Sequence, residues 1–194
     1  MSIVVDARTA VEEKLIAAAG EMLAEVGPRA MSVRAVAQRA GVNHGLVHHY
    51  FGSKDALLRY AMDDLVHRHA RFSSEKSHGH VIPAPFALLQ DQQYLRAVVR
   101  CVLDGEMELA TTELSENVST PKAVLDDLTA RHGLDTADAR LKAMVGIGMA
   151  IEMGWAALEP FINAVTGTEG DDVEAVRAEA VRLREEFLSK WWKP

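Results

Sequence analysis

The chain has 194 residues, 48% of them hydrophobic and 25% charged, and these proportions exclude a disordered or collagen-like chain. The net charge of −7 argues against a uniformly basic nucleic-acid-binding protein, and the single cysteine, Cys101, excludes a disulfide framework and a cysteine-based zinc finger. The first residues lack the apolar run of a secretory signal, and the longest stretch without a polar side chain, residues 143–151, is too short for a membrane helix. We therefore expect a cytoplasmic protein with no membrane partner.

The predicted fold class is all-α, because apolar residues recur at helical spacing along almost the whole chain and no hairpin signal interrupts them. Before residue 72, the predicted helices cover residues 11–26, 33–40, 44–51 and 54–65. Gly27 and Pro28 end the first helix, since glycine serves as a C-cap and proline cannot continue the hydrogen-bonding pattern. Ser32, Asn43 and Ser53 offer side-chain oxygens that cap the next three helices.

The second half of the chain is also predicted to be helical and follows a loop. Residues 73–85 are rich in Ser, His, Gly and Pro, which predicts a loop and an internal boundary. Beyond it, the predicted helices cover residues 86–105, 106–117, 121–132, 135–167 and 173–187. Asp135 or Thr136 would open the long fourth helix of this set, and Pro160 marks a kink site within it.

Charge is unevenly distributed along the chain. Residues 1–72 hold nine Lys/Arg and eight Asp/Glu, whereas residues 73–194 hold twelve and twenty. No acidic residue occurs between Glu25 and Asp55, while that interval contains Arg29, Arg34, Arg39, Lys54 and three histidines. Such a basic window is typical of a surface that contacts a phosphate backbone. The alternative is a solvated helix face that lacks acids.

The spacing within this window predicts a helix-turn-helix. Such a unit needs a small residue where its two helices cross, a glycine in the tight turn, and an apolar residue that fixes the second helix to the first. Ala37, Gly41 and Val47 have those properties at suitable spacing. Two ordinary core helices joined by a glycine turn are the alternative.

The same residues resemble the DNA-binding domain of TetR-type transcriptional regulators. The resemblance is carried by residues 31–37, 40–45 and 49–58, which read MSVRAVA, AGVNHG and HYFGSKDALL, and it extends over about residues 10–60. It implies a helix-turn-helix DNA-binding domain over residues 1–53 and a helical ligand-binding and dimerisation domain over 54–194, with 54–72 as the connecting helix. It also implies a homodimeric repressor that binds palindromic operator DNA and is released by a small molecule.

The resemblance assigns DNA contacts to particular positions of this chain. These positions are Ser32, Arg34, Asn43, His44, Gly45, Leu46, His48, His49, Tyr50 and Lys54. Relatives often carry Lys, Thr and Tyr where this chain has His44, Leu46 and His48. Leu46 can pack on a thymine methyl but cannot hydrogen-bond a base, so the resemblance implies the mode of DNA binding but not the operator sequence.

Flexible and aromatic side chains in the second half suggest an adaptable apolar cavity for the small molecule. The candidate lining residues are Phe86, Tyr94, Met107, Met144, Met149 and Met153. The alternative for each is an ordinary place in the core or in an interface.

The last predicted helix carries a narrow apolar seam. Val173, Val176, Ala180, Leu183 and Phe187 are spaced by 3, 4, 3 and 4 residues, which favours packing against a partner helix. The helix containing Gly148 and Trp155 is its expected companion, so that two helices from each subunit would form the dimer interface. The interface residues predicted in this way are Gly148, Trp155, Val176, Ala180, Leu183 and Phe187. Burial of the last helix within its own subunit is the alternative.

No catalytic motif is present in the sequence, so no enzyme activity, catalytic residue or cofactor is predicted. His67 and His69 are two apart on a predicted helix and therefore point in different directions, which argues against a shared metal ion. No metal site is expected. Two other classes remain as alternatives to a DNA-binding regulator, namely a helical small-molecule-binding protein without DNA binding and a metal-dependent helical enzyme.

Overall fold

The structure is a computed structural model that describes residues 2–133, 135 and 138–191. Its first four helices are α1 (Ser2–Ala30), α2 (Val33–Ala40), α3 (Gly45–Phe51) and α4 (Lys54–Ser77). α1 breaks at Gly27, whose φ of 79° and ψ of 167° are not helical. The predicted break at Gly27 is therefore confirmed, although the chain makes one more helical turn before α2.

The next elements are a short 3₁₀ helix (Ala87–Gln90), α5 (Gln92–Asp104), α6 (Met107–Ala110), α7 (Thr112–Ser115), α8 (Thr120–His132), α9 (Ala139–Thr166) and α10 (Asp172–Trp191). All described elements are helical, which confirms the predicted class. Pro160 lies inside the continuous span of α9.

Several predicted boundaries were wrong. The helix expected over 86–105 begins only at Gln92, because Phe86 has a positive φ of 56°. The helix expected over 106–117 is divided between α6 and α7. α4 continues to Ser77 although a loop was expected from residue 73. α9 is capped by Asp138, whose carboxylate accepts from the backbone N–H groups of Arg140 and Leu141, rather than by Asp135; residue 136 lies outside the described residues.

The chain forms two compact units. Unit 1 comprises residues 1–71 and 92–118, and unit 2 comprises residues 72–91 and 119–194. These units are defined by which residues lie close together in space. The boundary predicted after residue 53 is of another kind, because it separates the DNA-binding part of the chain from the ligand-binding part. The latter boundary remains a prediction about function.

The core of unit 1 is built around α1, which packs against both α2 and α5. Fully buried side chains from five helices meet there, with Leu15, Leu23, Val36, Val47, Leu57 and Leu95 among them. Val26 belongs to the stripe predicted from the sequence but is exposed, because the break at Gly27 follows immediately. Burial of this apolar area stabilises the unit and gives α2 and α3 a rigid support.

In unit 2, α9 and α10 run antiparallel. Glu152 pairs with Arg184, and Glu159 pairs with Arg177 at 2.9 Å, so the two ion pairs lie seven residues apart on each helix and in opposite chain directions. α9 is long and apolar enough to cross a membrane by length and composition, yet only 11% of its most apolar window is buried within the described chain. Much of its apolar surface is therefore uncovered.

Candidate DNA-binding site

Helices α2 and α3 are joined by a tight turn of the predicted kind. Gly41 has a left-handed φ of 68°, and its N–H bonds to carbonyls at the end of α2. Val36, Ala37 and Val47 are almost completely buried where the helices meet. A left-handed residue is strained unless it is glycine, so Gly41 fixes the angle between the helices. The helix-turn-helix predicted from the spacing is confirmed.

Short polar side chains organise the starts of both helices. The Ser32 hydroxyl accepts from the Ala35 N–H at 3.2 Å at the start of α2. The Asn43 side-chain oxygen accepts from the Gly45 N–H at 2.8 Å at the start of α3. The N-cap residue of α3 is His44, so the cap predicted at Asn43 was placed one residue too early. A Cβ at Gly45 would lie 3.3 Å from that oxygen, so a side chain there would crowd the cap. These caps satisfy backbone donors that helix starts leave without partners.

The predicted DNA-contacting residues form one group along α2, the turn, α3 and the start of α4. Seven of them are exposed, namely Ser32, Arg34, Asn43, His44, Gly45, His48 and His49, and three are half-buried, namely Leu46, Tyr50 and Lys54. The exposed polar side chains of α3 face solvent, whereas Val47 of the same helix faces the core. This surface can therefore recognise a partner through hydrogen bonds and charge.

His48 has a defined tautomer in this arrangement. Its Nδ1 lies 3.1 Å from the Gly52 carbonyl oxygen. A carbonyl only accepts hydrogen bonds, so Nδ1 carries the proton, and Nε2 of the neutral ring is an acceptor. An acceptor at this position suits the exposed amino group of cytosine or adenine in a major groove.

The cations of the basic window are not equally available. Arg39 pairs with Glu25 at 2.6 Å and with Glu21 at 3.7 Å, both from α1. The hydrogen bond from Arg39 lowers the pKa of the Glu25 carboxyl, so this pair stays charged. Among the described residues, Arg34 has no ion-pair partner. The window is free of acids along the chain, but the fold brings two acids to Arg39, whereas Arg34 keeps an exposed guanidinium.

Lys54 performs a structural role that the sequence did not reveal. Its Nζ donates to the Pro28 carbonyl oxygen at 2.8 Å, and thereby ties the start of α4 to the break in α1. The ammonium has two further N–H groups, which leaves it able to donate to a phosphate.

The candidate ligand-lining residues are distributed between the two units. Tyr94 and Met107 belong to unit 1, and Phe86, Met144, Met149 and Met153 belong to unit 2. Tyr94 is buried; its ring stacks on His69, and its hydroxyl donates to Glu113 at 2.5 Å. Met107 is exposed.

Within unit 2, Phe86 stacks on Trp155 and donates its N–H to the Glu152 carboxylate at 2.7 Å. Met144 lines an open apolar groove of about 60 Å³ with Ile147 and Phe187. This volume is far below the roughly 300–1,000 Å³ of small-molecule sites. The ligand assignment therefore stays a prediction.

The predicted dimer residues differ in exposure. Leu183 and Phe187 are exposed, whereas Gly148, Trp155, Val176 and Ala180 are half-buried. Trp155 makes contacts within its own chain, because its indole N–H donates to Glu159 at 3.1 Å. The half-buried residues of α10 include Arg177 and Arg184, which face α9 through the two ion pairs.

These ion pairs were missed at the sequence level. Glutamates seven apart in α9 and arginines seven apart in α10 are the signal that could have revealed them. Among the residues that the structure describes, no group of three or more metal-ligating side chains is present. His67 instead meets Glu116, with 3.1 Å between Nε2 and Oε2.

Helices α1, α2 and α3, the glycine turn between α2 and α3, and the exposed polar side chains of α3 define a helix-turn-helix protein of the class that binds double-stranded DNA. The family model described as bacterial regulatory proteins of the tetR family matches residues 15–61. This part of the chain is therefore a helix-turn-helix DNA-binding domain of the kind found in TetR-family transcriptional regulators.

Relatives and a solved structure agree with this assignment. The chain is 29% identical over 177 residues to an HTH-type transcriptional repressor of Mycobacterium tuberculosis, and the match covers 90% of this chain and 88% of that protein. It is 41% identical over 54 residues to the HTH-type transcriptional regulator BetI of Stenotrophomonas maltophilia, which covers 28% of each chain. A tetR-family regulator from Streptomyces coelicolor has the same fold, with a TM-score of 0.56 and 18% identity over 91% of this chain and 78% of that one.

Proposed function

We propose that the protein is a cytoplasmic repressor that binds a palindromic operator as a homodimer and is released by a small-molecule effector. The α2–α3 unit carries the proposal, because buried apolar contacts hold the exposed polar helix α3, the proposed recognition helix, next in the chain to α2 with its exposed Arg34. The mycobacterial relative is a transcriptional repressor, which supports repression rather than activation.

The uncovered surface of α9 and α10 supports dimerisation. Ile147, Leu158, Phe161 and Val165 of α9 are exposed and follow heptad spacing, and Leu183 and Phe187 of α10 are exposed as well. Exposed apolar side chains repeated along helices mark protein interfaces. A four-helix contact between two copies would cover both sets. It would also supply the two reading helices that a palindrome requires, about 34–36 Å apart.

An effector would need more room than the groove beside Met144 offers. The groove is lined by Arg140, Ala143, Met144, Ile147, Phe187 and Leu188. Its apolar lining supports an apolar effector with a small polar group, and binding would widen the space between α9 and α10. The other candidate residues of unit 2, Phe86, Met149 and Met153, remain part of this proposal, whereas Tyr94 and Met107 of unit 1 stay predictions from the sequence.

Fluorescence anisotropy with fragments of DNA that flank the gene tests the proposal. The wild-type protein is expected to bind one fragment tightly, with affinity that falls steeply as salt rises. Arg34→Ala should weaken binding about tenfold and flatten the salt slope by about 0.9 for each phosphate that the variant no longer neutralises. Arg96→Ala removes the same charge from an exposed position on α5 and is the matched control.

The result also separates the alternative classes. A small-molecule-binding protein without DNA binding would show no salt-dependent anisotropy change on any fragment. If Arg34→Ala and Arg96→Ala behave alike while the wild type binds, DNA contacts a surface other than α2 and α3.

A further inference from the structure

The break in α1 leaves backbone groups without their helical partners. The carbonyl of Ala24 would normally accept from the N–H of residue 28, but residue 28 is proline and has no N–H. Gly27 lies outside the helical region, so the N–H of Arg29 is also displaced from its place in the hydrogen-bonding pattern. Both groups lie at the junction between α1 and α2, the first helix of the DNA-reading pair.

α5 supplies the missing partners. Arg100 Nε donates to the Ala24 carbonyl oxygen at 3.0 Å, and the Arg29 N–H donates to Asp104 Oδ2 at 3.1 Å. Arg100 and Asp104 are four residues apart, so they lie on the same face of α5 and reach the break together. We call this pair of contacts the α5 clasp.

Gly27 permits the close approach that the clasp needs. A Cβ at this position would lie 2.9 Å from Asp104 Oδ2 and 3.3 Å from Arg100 Cβ. The φ of 79° is a second reason for glycine, because other residues are strained there. Gly27 is thus required both by its backbone conformation and by the two clasp side chains.

The clasp is connected to the recognition helix by a short path. Lys54 donates to the carbonyl of Pro28, the residue between Gly27 and Arg29. Lys54 begins α4 and is separated from the end of α3 at Phe51 by two residues. The backbone of residues 24–29 is therefore held on one side by α5 and on the other by the segment that follows the recognition helix.

We propose that Arg100 and Asp104 are positioning residues for DNA binding: they hold the α2–α3 unit at a fixed angle to α5 by acting through the backbone of the α1 break. Neither side chain is assigned a contact with DNA. The inference rests on the proposed function, since it concerns the efficiency with which two reading helices engage two half-sites at once. A fixed angle raises the effective concentration of the second helix at its half-site once the first is bound.

The test compares Asp104→Ala with Asp104→Asn, and Arg100→Met with Arg100→Lys. Asparagine keeps an oxygen that can accept from Arg29, and lysine keeps a donor for Ala24, whereas alanine and methionine remove these functions. The full-length variants are measured by anisotropy on the selected operator, on a single half-site, and on operators lengthened by one base pair. Circular dichroism and thermal melts report whether each variant is folded.

Removal of the clasp should weaken binding to the full operator about tenfold and leave half-site affinity within about twofold of wild type. In the Ala and Met variants, the affinity for the lengthened operator should also fall less, relative to that for the original operator, than it does in the wild type. The Asn and Lys variants should show the same ratio of affinities as the wild type. A general loss of stability would weaken both DNAs equally and would not change the preference for spacing.

Equal losses on the full operator and half-site, or an unchanged preference for spacing in all four variants, would overturn the inference. If Asp104→Ala unfolds, Asp104→Leu takes its place, because leucine is of similar size but has no acceptor for the Arg29 N–H. Protection of the Arg29 amide from hydrogen exchange that is unchanged in that variant would count against the clasp. If wild-type protein binds no operator, or binds operator and half-site alike, the proposed function fails instead.

Discussion

Helices α2 and α3 meet through apolar side chains and present polar ones to solvent, whereas α9 and α10 meet through ion pairs and present apolar side chains. Val36, Ala37 and Val47 close the first contact. The pairs Glu152–Arg184 and Glu159–Arg177 lie in the second. A polar exterior suits a surface that binds the wet, charged backbone of DNA, and an apolar exterior suits one covered by another protein.

The comparison shows that the exposed surface, rather than the contact between helices, indicates the partner. Two helices can be held together by buried apolar side chains or by ion pairs, provided that each buried charge has its counter-charge. The side chains that stay exposed on a helix pair have to match the partner that binds there.

Val47→Asp should disrupt the apolar contact between α2 and α3. Val47 is completely buried, and a carboxylate there would have no partner, so the free energy of unfolding should fall by about 3–5 kcal/mol. Chemical denaturation followed by circular dichroism measures the change. Gln38→Asp adds the same charge at an exposed position of α2 and should cost less than about 0.5 kcal/mol. Equal effects of the two changes would mean that α3 is not held by burial of Val47.

Leu183→Glu should disrupt the proposed dimer interface, in which a second copy packs on the exposed apolar side chains of α9 and α10. It places a carboxylate in an apolar interface and should weaken dimerisation by several kcal/mol, on the order of 3. Light scattering after size exclusion should show a folded monomer with greatly reduced operator affinity. Ala178→Glu adds the same charge at an exposed position of α10 and should leave the dimer intact. A persistent dimer with full DNA binding would place the interface elsewhere, and outright unfolding would support burial of α10 within its own subunit.

The two ion pairs should respond to pH with opposite signs. Burial raises the pKa of the Glu152 carboxyl above its usual 4.5, an effect that Arg184 and the Phe86 N–H oppose. Arg177 lowers the pKa of Glu159 through its hydrogen bonds. The contribution of Glu152 to stability is therefore present below the unfolded pKa and is lost as pH rises through the folded value. The contribution of Glu159 is present above the unfolded pKa and is lost as pH falls through the folded value.

Thermal melts of Glu152→Gln and Glu159→Gln from about pH 3.5 to about pH 7, a range that spans the ordinary carboxyl pKa, measure these signs. The difference in free energy of unfolding between wild type and Glu152→Gln should decrease as pH rises. The corresponding difference between wild type and Glu159→Gln should increase by about 1 kcal/mol over the same range. Matching slopes for the two variants would show that burial does not distinguish the two glutamates.

Cys101 should be unreactive in the native protein. It is completely buried in α5, and burial, reinforced by Asp104 and Glu106, raises the pKa of its thiol to about 12. A thiol reagent at about pH 8 should label it only after unfolding. The same measurement on Leu183→Glu distinguishes a dissociated but folded subunit, in which Cys101 stays unlabelled, from an unfolded one. Rapid labelling of the native wild type would contradict this description of the core of unit 1.

The helix-turn-helix could be predicted because its signals are local. Ser32 caps α2, Asn43 accepts from the first N–H of α3, and Gly41 is required by a single left-handed conformation. The break at Gly27 follows from the same kind of signal. The sequence therefore indicated where these helices begin and end before any contact between them was known.

The contacts between distant segments could not be predicted in this way. Arg39 pairs with two acids on α1, and the N–H of Phe86, a residue with a positive φ, donates to a carboxylate 66 residues away. The sequence therefore overestimated the number of cations in the basic window that are free to contact DNA. It also placed the start of the helix near residue 86 too early. Arg100 and Asp104 likewise reach the α1 break across about 75 residues of sequence. Propensity and periodicity contain no information about such pairs.

The uncovered apolar face of α9 has a consequence for dilute protein. If a second copy covers it, the folded state is favoured by mass action, and the melting temperature should rise with the logarithm of protein concentration. A regulator present in few copies would then lose stability as its own level falls, and newly made subunits would be exposed to proteolysis until they met a partner. The amount of active protein in the cell would thereby depend on the square of subunit concentration rather than in simple proportion to it.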